Sequence, residues 1–281
     1  MGQLNTAGRE LTHADLTARN SGLYDLTNLV VHIIGCGAIG SFTASTFARM
    51  GVTIFDLFDD DIVAPENIGV QDFTFMQLGM DKVTAVAQNI KSINPNARVM
   101  RGKIRVGGED HLMRGGSHNL FHGIDPSSLD TRRHHNPISL EWSHVIIMAV
   151  DSMESRLKIA QNKNLGIGFK ESFSRNRKSN NPACFYDARM GSETFQLYKF
   201  PLPLVLKDYM DTWYSDEDGD SEPCSARATA YCSTLAGSMI ASEIKKNESG
   251  GLSAERVVFN FPSLLLDSTT DFSKLTQKTM Q

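Results

Sequence analysis

The apolar run Leu29-Val30-Val31-His32-Ile33-Ile34 stops at Gly35 and gives way to a small-residue stretch, Ser41 to Met50. A short, nearly unbroken apolar run fits a strand buried on both faces, and the small residues after it fit a helix packed closely on a sheet. Val52 to Phe58 predicts a second strand, ending in Asp59-Asp60-Asp61. Lys82 to Ile93 carries Val83, Val86, Ala87 and Ile90 at helical spacing and stops at Asn94-Pro95, and Arg98 to Val106 predicts a third strand. Strands alternating with helices predict an α/β fold, a mostly parallel sheet with helices on both faces.

Beyond this unit the pattern changes. Residues 107–141, rich in Gly, His, Ser and Arg, read as an irregular insertion. Val145 to Val150 predicts a central strand followed by Asp151. Ala183 to Tyr186 and Glu193 to Phe200 predict an antiparallel extension that turns near Gly191. Ala226 to Lys246 predicts a long helix, and Arg256 to Asn260 a late strand. The organisation expected is a polar N-terminal arm, residues 1–27, and a single domain, 28–281, with halves at 28–160 and 183–281.

A chain of 281 residues that is 41% hydrophobic can bury a substantial core. Its formal net charge of -4 gives no general drive toward nucleic acid or anionic lipid. Seven acids and no Lys or Arg fall between Asp208 and Glu222, so the acidity belongs to that segment, which reads as a mobile crossover able to meet a basic partner surface. Four cysteines without a Cys-x-x-Cys pair argue against a zinc ribbon and a disulfide framework. No apolar run reaches the ~18–20 residues of a membrane helix, so a soluble cytoplasmic protein is expected.

Gly35-Cys36-Gly37-Ala38-Ile39-Gly40 is Gly-x-Gly-x-x-Gly between a strand and a helix. Missing side chains there let backbone N–H groups approach a phosphate at a helix N-terminus. Asp59, at the end of the second strand, is placed to accept ribose hydroxyls, which predicts a Rossmann-like sheet. NAD and ATP are served equally by these residues.

The stretch after Asp59 separates them. Asp59-Asp60-Asp61-Ile62-Val63, then Asn67, Gln71, and Lys82 at a helix start, resembles the ThiF/MoeB/HesA family of adenylating enzymes, which includes the ubiquitin-activating enzymes. Ala149-Val150-Asp151-Ser152 with Arg156 is similar to that family's strand-end Asp followed by Arg. The resemblance implies ATP and Mg²⁺, and adenylation of the C-terminal carboxylate of a small ubiquitin-like or sulfur-carrier protein ending in glycine. It implies that Gly35, Gly37, Ala38, Ile39 and Gly40 hold the nucleotide, with Asp59 at the ribose and Asp61 in the nucleotide-binding set or capping its loop. Asn67, Gln71 and Lys82 would face the triphosphate, and Asp151 the Mg²⁺. Arg156 would anchor the loop.

The same resemblance implies a homodimer in which Arg19, or Arg9, of one copy reaches the other's nucleotide. Cys224, just before the late helix, stands where some members form a thioester or persulfide with the carrier. The 183–281 half would then bind the carrier, with the acidic segment crossing its tail. One departure is plain: the family's Arg before Gln is Val70 here. A zinc-free, short member is expected, without nucleic-acid or membrane partners.

Other candidates compete. Arg189 and Glu193 would border the incoming tail or form a solvated salt pair. His111, His118, His122, His134 and His135 lack the helical pattern or nearby Cys ligands of a metal site, and read as part of a polar insertion. Two rival functions stand beside adenylation: an NAD-dependent oxidoreductase using the same glycine turn, and a relative that binds nucleotide without turnover.

Overall fold

The computed structural model describes residues 12–103, 105–106, 143–161, 183–202, 204–217 and 228–270. Eight strands form one sheet: β1 (Leu29–Ile34), β2 (Ile54–Phe58), β3 (Arg98–Gly102), β4 (Ser143–Met148), β5 (Cys184–Met190), β6 (Thr194–Pro201), β7 (Arg256–Asn260) and β8 (Leu265–Thr269). They lie in the order β3-β2-β1-β4-β5-β6-β7-β8. The first five are parallel, and β6, β7 and β8 add as antiparallel neighbours. The helices are α1 (His13–Thr17), α2 (Ala38–Arg49), α3 (Lys82–Ile93), α4 (Met153–Ala160), α5 (Leu206–Met210) and α6 (Ala230–Glu248). The α/β class, the parallel core and the antiparallel extension are as the pattern predicts.

Side chains alternate across the strands with period two, so each strand supplies two cores. On one face Val31, Ile33, Val145, Ile147, Tyr186 and Ala188 meet α2, α3 and α6 through Phe47, Val86, Ile90, Ala236 and Ile240. On the other, Ile34, Ile146, Met148 and Phe185 meet Ile159 of α4, Tyr209 of α5 and Val106. Sandwiched strands of this kind have no polar face to show, which explains the unbroken apolar runs. In their midst His32 Nδ1 and Asp56 Oδ2 pair at 2.7 Å, both buried, on adjacent strands in register.

Small residues let α2 lie close to its neighbours. A Cβ built on Gly237 of α6 would stand 2.8 Å from the Phe42 carbonyl carbon, so α2 and α6 touch backbone to backbone. Helix α2 stops at Gly51, whose φ of +90° is left-handed and favours glycine. Helix α3 stops at Asn94, whose side-chain amide donates to the Val52 carbonyl at 3.0 Å.

Three features depart from the sequence pattern. Residues 12–27 lie on the domain instead of ahead of it: Leu26 is buried, and Thr17 and His13 close over Gly51. Strand β8 escapes the pattern because it is exposed along its whole length and shows no alternation. Helices α4 and α5 are short, with eight and five residues. Among the described residues no helix is long and apolar enough to cross a membrane.

Candidate functional site

Strand order reverses at β1 and β4, and the crevice beyond their carboxyl ends is where open α/β sheets bind ligands. The glycine-rich turn fills its floor. Gly35 has a φ of +95°, and a Cβ there would meet the Ala149 carbonyl oxygen at 2.6 Å. A Cβ on Gly40 would fall 1.9 Å from the Gly35 oxygen. Gly37 differs, since its nearest neighbour is the Gln71 carboxamide at 3.8 Å from a built Cβ. Gly35 and Gly40 therefore make the turn possible, while Gly37 leaves a space that a side chain would fill. Ala38 and Ile39 open α2, turning its unpaired N–H groups toward that space.

The second strand's acids frame one side. Asp59 accepts from the Cys36 N–H at 2.7 Å and the Asp61 N–H at 2.8 Å, one on each carboxylate oxygen. Each oxygen keeps a lone pair for a ligand hydroxyl. Burial pushes the Asp59 carboxyl above its ordinary value, against the pull of those two bonds and of Lys82. Burial, then the Asp59 charge, push the Cys36 thiol well up, so this cysteine is inert.

Lys82, at the start of α3, is buried and its Nζ lies 2.9 Å from Asp61 Oδ2. It is not a solvated surface charge. Asp60 takes the Arg105 Nε at 2.9 Å, and the fields of Asp60, Asp61 and Asp151 together hold that guanidinium more firmly protonated. The carboxylates of Asp59, Asp60 and Asp61 come within 4.8 Å of one another, a hard-oxygen set suited to a divalent cation.

Asn67 closes a turn: its side-chain oxygen accepts the Ala64 N–H at 2.9 Å. Only its NH₂ is left to face a phosphate. Gln71 stands against Gly37, and its Oε1 is buried with no partner among the described residues. Sequence reasoning missed Asp72 beside it, which takes the Ser45 hydroxyl on its carboxylate and donates its own N–H to Ser41 Oγ at 3.0 Å.

Asp151 lies exposed at the bend after β4. Arg156, buried below it, donates to the Val150 carbonyl and to Asp187. Arg189 donates its Nε to Asp187 Oδ2 at 2.8 Å and its Nη1 to the Thr212 carbonyl at 2.6 Å, while Tyr198 lies 4.5 Å from its guanidinium carbon. Glu193 instead accepts the Tyr231 hydroxyl. Arg189 and Glu193 thus form neither a tail channel nor a solvated pair, because the buried Asp187 carboxylate draws Arg189 into the core.

The acidic segment needs a similar correction. Tyr209 is fully buried, and Asp216 accepts the Met153 N–H at 2.8 Å and the Glu154 N–H at 3.3 Å, capping α4. Trp213 donates its Nε1 to the Met153 carbonyl at 3.0 Å. Residues 208–217 are thus fastened to the loop that carries Asp151 through Trp213 and Asp216. Helix N-termini attract carboxylates, which explains why an acid-rich sequence settles there.

Arg19 is exposed in the turn after α1. Cys184 and Cys232 are buried. Arg9, Cys224, residues 218–222 of the acidic stretch and the histidines of 107–141 lie outside the described residues.

Comparison with known proteins gives a consistent picture. Residues 10–246 match the model of the ThiF family. The chain is 30% identical over 151 residues to ubiquitin-like modifier-activating enzyme 5 of Drosophila virilis, covering 53% of this chain and 34% of that protein. It is 36% identical over 76 residues to the enzyme of the same name from Culex quinquefasciatus, 27% of this chain and 19% of that one. These matches span 34% and 19% of the relatives' own length.

Among solved structures, E. coli MccB with ATP superposes with a TM-score of 0.57 at 12% identity, covering 87% of this chain and 64% of that one. The microcin C7 biosynthetic enzyme MccB in complex with N-formylated MccA gives 0.58 at 13% identity, covering 87% and 65%. PaaA gives 0.54 at 17%, covering 87% and 64%. At such identities the likeness speaks for the fold alone.

Proposed function

The chain belongs to the ThiF family, and from that premise we propose that it adenylates the C-terminal carboxylate of a small ubiquitin-like or sulfur-carrier protein, or of a peptide, using ATP. A carboxylate oxygen attacks the α-phosphorus, the bond from that phosphorus to the β-bridging oxygen breaks, and pyrophosphate leaves with the electron pair. An acyl-adenylate remains.

Lys82 carries this reading. It is a buried ammonium bonded to Asp61 and electrically coupled to Cys36 and Asp59 of the nucleotide turn. Leaving-group charge on a triphosphate, which grows as pyrophosphate departs, calls for such a cation. The chain's groups suit ATP: the space over Gly37, the Gln71 carboxamide NH₂ that borders it, and the lone pairs left on Asp59.

In this reading Gly35, Gly37, Ala38, Ile39 and Gly40 cradle the phosphates, and Asp59 takes the ribose hydroxyls. Asn67, Gln71 and Lys82 orient the triphosphate. Asp151 would hold Mg²⁺, which neutralises triphosphate charge while keeping several waters. Arg156 and the Asp216 cap fix the Asp151 loop. The chemical class of the acceptor is supported by relatives named for activating ubiquitin-like modifiers and by a structural neighbour solved with MccA. Homodimerisation, Arg19 of one copy reaching the other's nucleotide, a thioester at Cys224 and a cytoplasmic setting belong to the same proposal.

The test is ATP–pyrophosphate exchange with Mg²⁺, run across small proteins ending in Gly-Gly and short peptides. Exchange with one of them, and its loss in Asp151→Asn, is expected. Undiminished exchange in Asp151→Asn refutes the Mg²⁺ role. ATP binding without exchange for any acceptor favours a non-catalytic relative, and NAD binding without ATP binding favours the oxidoreductase.

A further inference from the structure

The loop that presents Gln71 to the glycine-rich turn is held by a set of side chains that no nucleotide contact requires. Asp72 sits at its centre. Ser45, on α2, donates its hydroxyl to Asp72 Oδ2, and the Asp72 N–H returns a bond to Ser41 Oγ at 3.0 Å, one turn earlier on the same helix. Asn89, on α3, donates to the Asp72 carbonyl. Gln77 Nε2 holds Asn89 Oδ1 at 2.8 Å and the Ala85 carbonyl at 3.2 Å, while its own oxygen accepts the Thr74 N–H at 2.9 Å. Phe73 is buried beneath. The segment 71–77 is therefore fastened to both helices that flank the crevice, with Asp72 the residue that ties it to α2.

Gln71 is the side chain of this loop that borders the space over Gly37, where a built Cβ would stand 3.8 Å from its Nε2, and position 70 carries valine, without charge or hydrogen-bonding capacity. A single neutral amide orients a phosphate only if it is held in place, since a loop free to move by about 1 Å loses most of the benefit. We propose that Asp72 is a positioning residue of the nucleotide site, acting through Gln71: its carboxylate, accepting from Ser45 beside the backbone bond to Ser41, holds the Gln71 amide over Gly37. The inference rests on the ATP reading above.

A double-mutant cycle on the full chain tests it, with Mg²⁺-ATP affinity measured by calorimetry for the unaltered protein, Asp72→Ala, Gln71→Ala and the pair. Asp72→Ala should weaken ATP about tenfold when Gln71 is present and less than about twofold when it is absent. Asp72→Asn keeps an acceptor for Ser45 and should lie within about threefold of the unaltered protein. Ser45→Ala, which leaves the loop sequence intact, should weaken ATP in the same direction as Asp72→Ala. Equal effects of Asp72→Ala in both backgrounds, or none in either, overturn the inference while leaving the ATP reading in place. An unaltered protein that does not bind ATP overturns both.

Discussion

Adding one methyl group at each of three glycines separates folding from ligand binding in the same turn. In Gly35→Ala the new Cβ meets the Ala149 carbonyl oxygen at 2.6 Å, its carbon at 2.7 Å and the Val150 nitrogen at 2.9 Å. All three are backbone atoms at the end of a central strand and cannot rotate away. The left-handed φ adds about 1–2 kcal/mol of strain, and forcing the strands apart about 1–3 more, so a loss of about 2–5 kcal/mol is expected. For a chain of 281 residues that lowers Tm by roughly 3–9 °C. Gly40→Ala, with its Cβ 1.9 Å from the Gly35 oxygen, should be worse.

Gly37→Ala meets nothing nearer than 3.8 Å, so crowding should lower its melting far less than it lowers that of Gly35→Ala. Its methyl occupies the space assigned to phosphate, and ATP affinity should fall at least about tenfold. Thermal denaturation and calorimetric titration of the three variants distinguish these effects. The reasoning is wrong if Gly35→Ala melts like the unaltered protein, or if Gly37→Ala binds ATP normally.

Lys82→Ala should cut ATP–pyrophosphate exchange about a hundredfold while costing under about 1 kcal/mol of stability, because its partner Asp61 is exposed and can be resolvated; a change confined to stability would refute the assignment. Arg156→Ala strips one of two guanidinium groups from the fully buried Asp187 and should cost about 3 kcal/mol in urea unfolding. A cost below about 1 kcal/mol would show that Arg189 suffices. Burial pushes the Cys232 thiol up to about 11 from an ordinary 9.0. The unfolded chain therefore loses this proton first, and stability should fall as pH rises from 9 toward 11 and then level off. Urea midpoints across that range should show a shallower decline in Cys232→Ala than in the unaltered protein, the remainder coming from groups such as the buried Cys36 thiol; equal slopes would refute the contribution of Cys232.

The sequence made the nucleotide half legible because burial on both faces leaves strands almost purely apolar. The glycine turn, Asp59 and Lys82 occupy positions set by that framework. Strand β8 was invisible for the opposite reason: its exposed residues carry no periodicity. Polar side chains far apart in sequence were misread for want of partners. Arg189 and Glu193 looked like a surface pair until Asp187, buried between Arg156 and Arg189, took the arginine. The acids of 208–217 looked like a solvated run, but Asp216 caps α4 and Tyr209 fills the core. Asn67 suits either a turn or a phosphate, and the structure has its oxygen in the turn. Asp72 carried no signal at all, since its meaning lies in two serines one helical turn apart on α2.

The backbone contact between α2 and α6 has a consequence for the order of events during synthesis. Helix α2 follows the glycine turn early in the chain, yet the surface that backs it, Gly237 against Phe42 and Thr43, belongs to residues translated long afterwards. Until 230–248 have left the ribosome, the small-residue face of α2 has nothing to close over it. A nascent chain ending near residue 160 would hold the whole nucleotide motif and still not hold a finished pocket. Protease protection of ribosome-bound chains of increasing length should therefore appear at the glycine turn only once α6 has emerged.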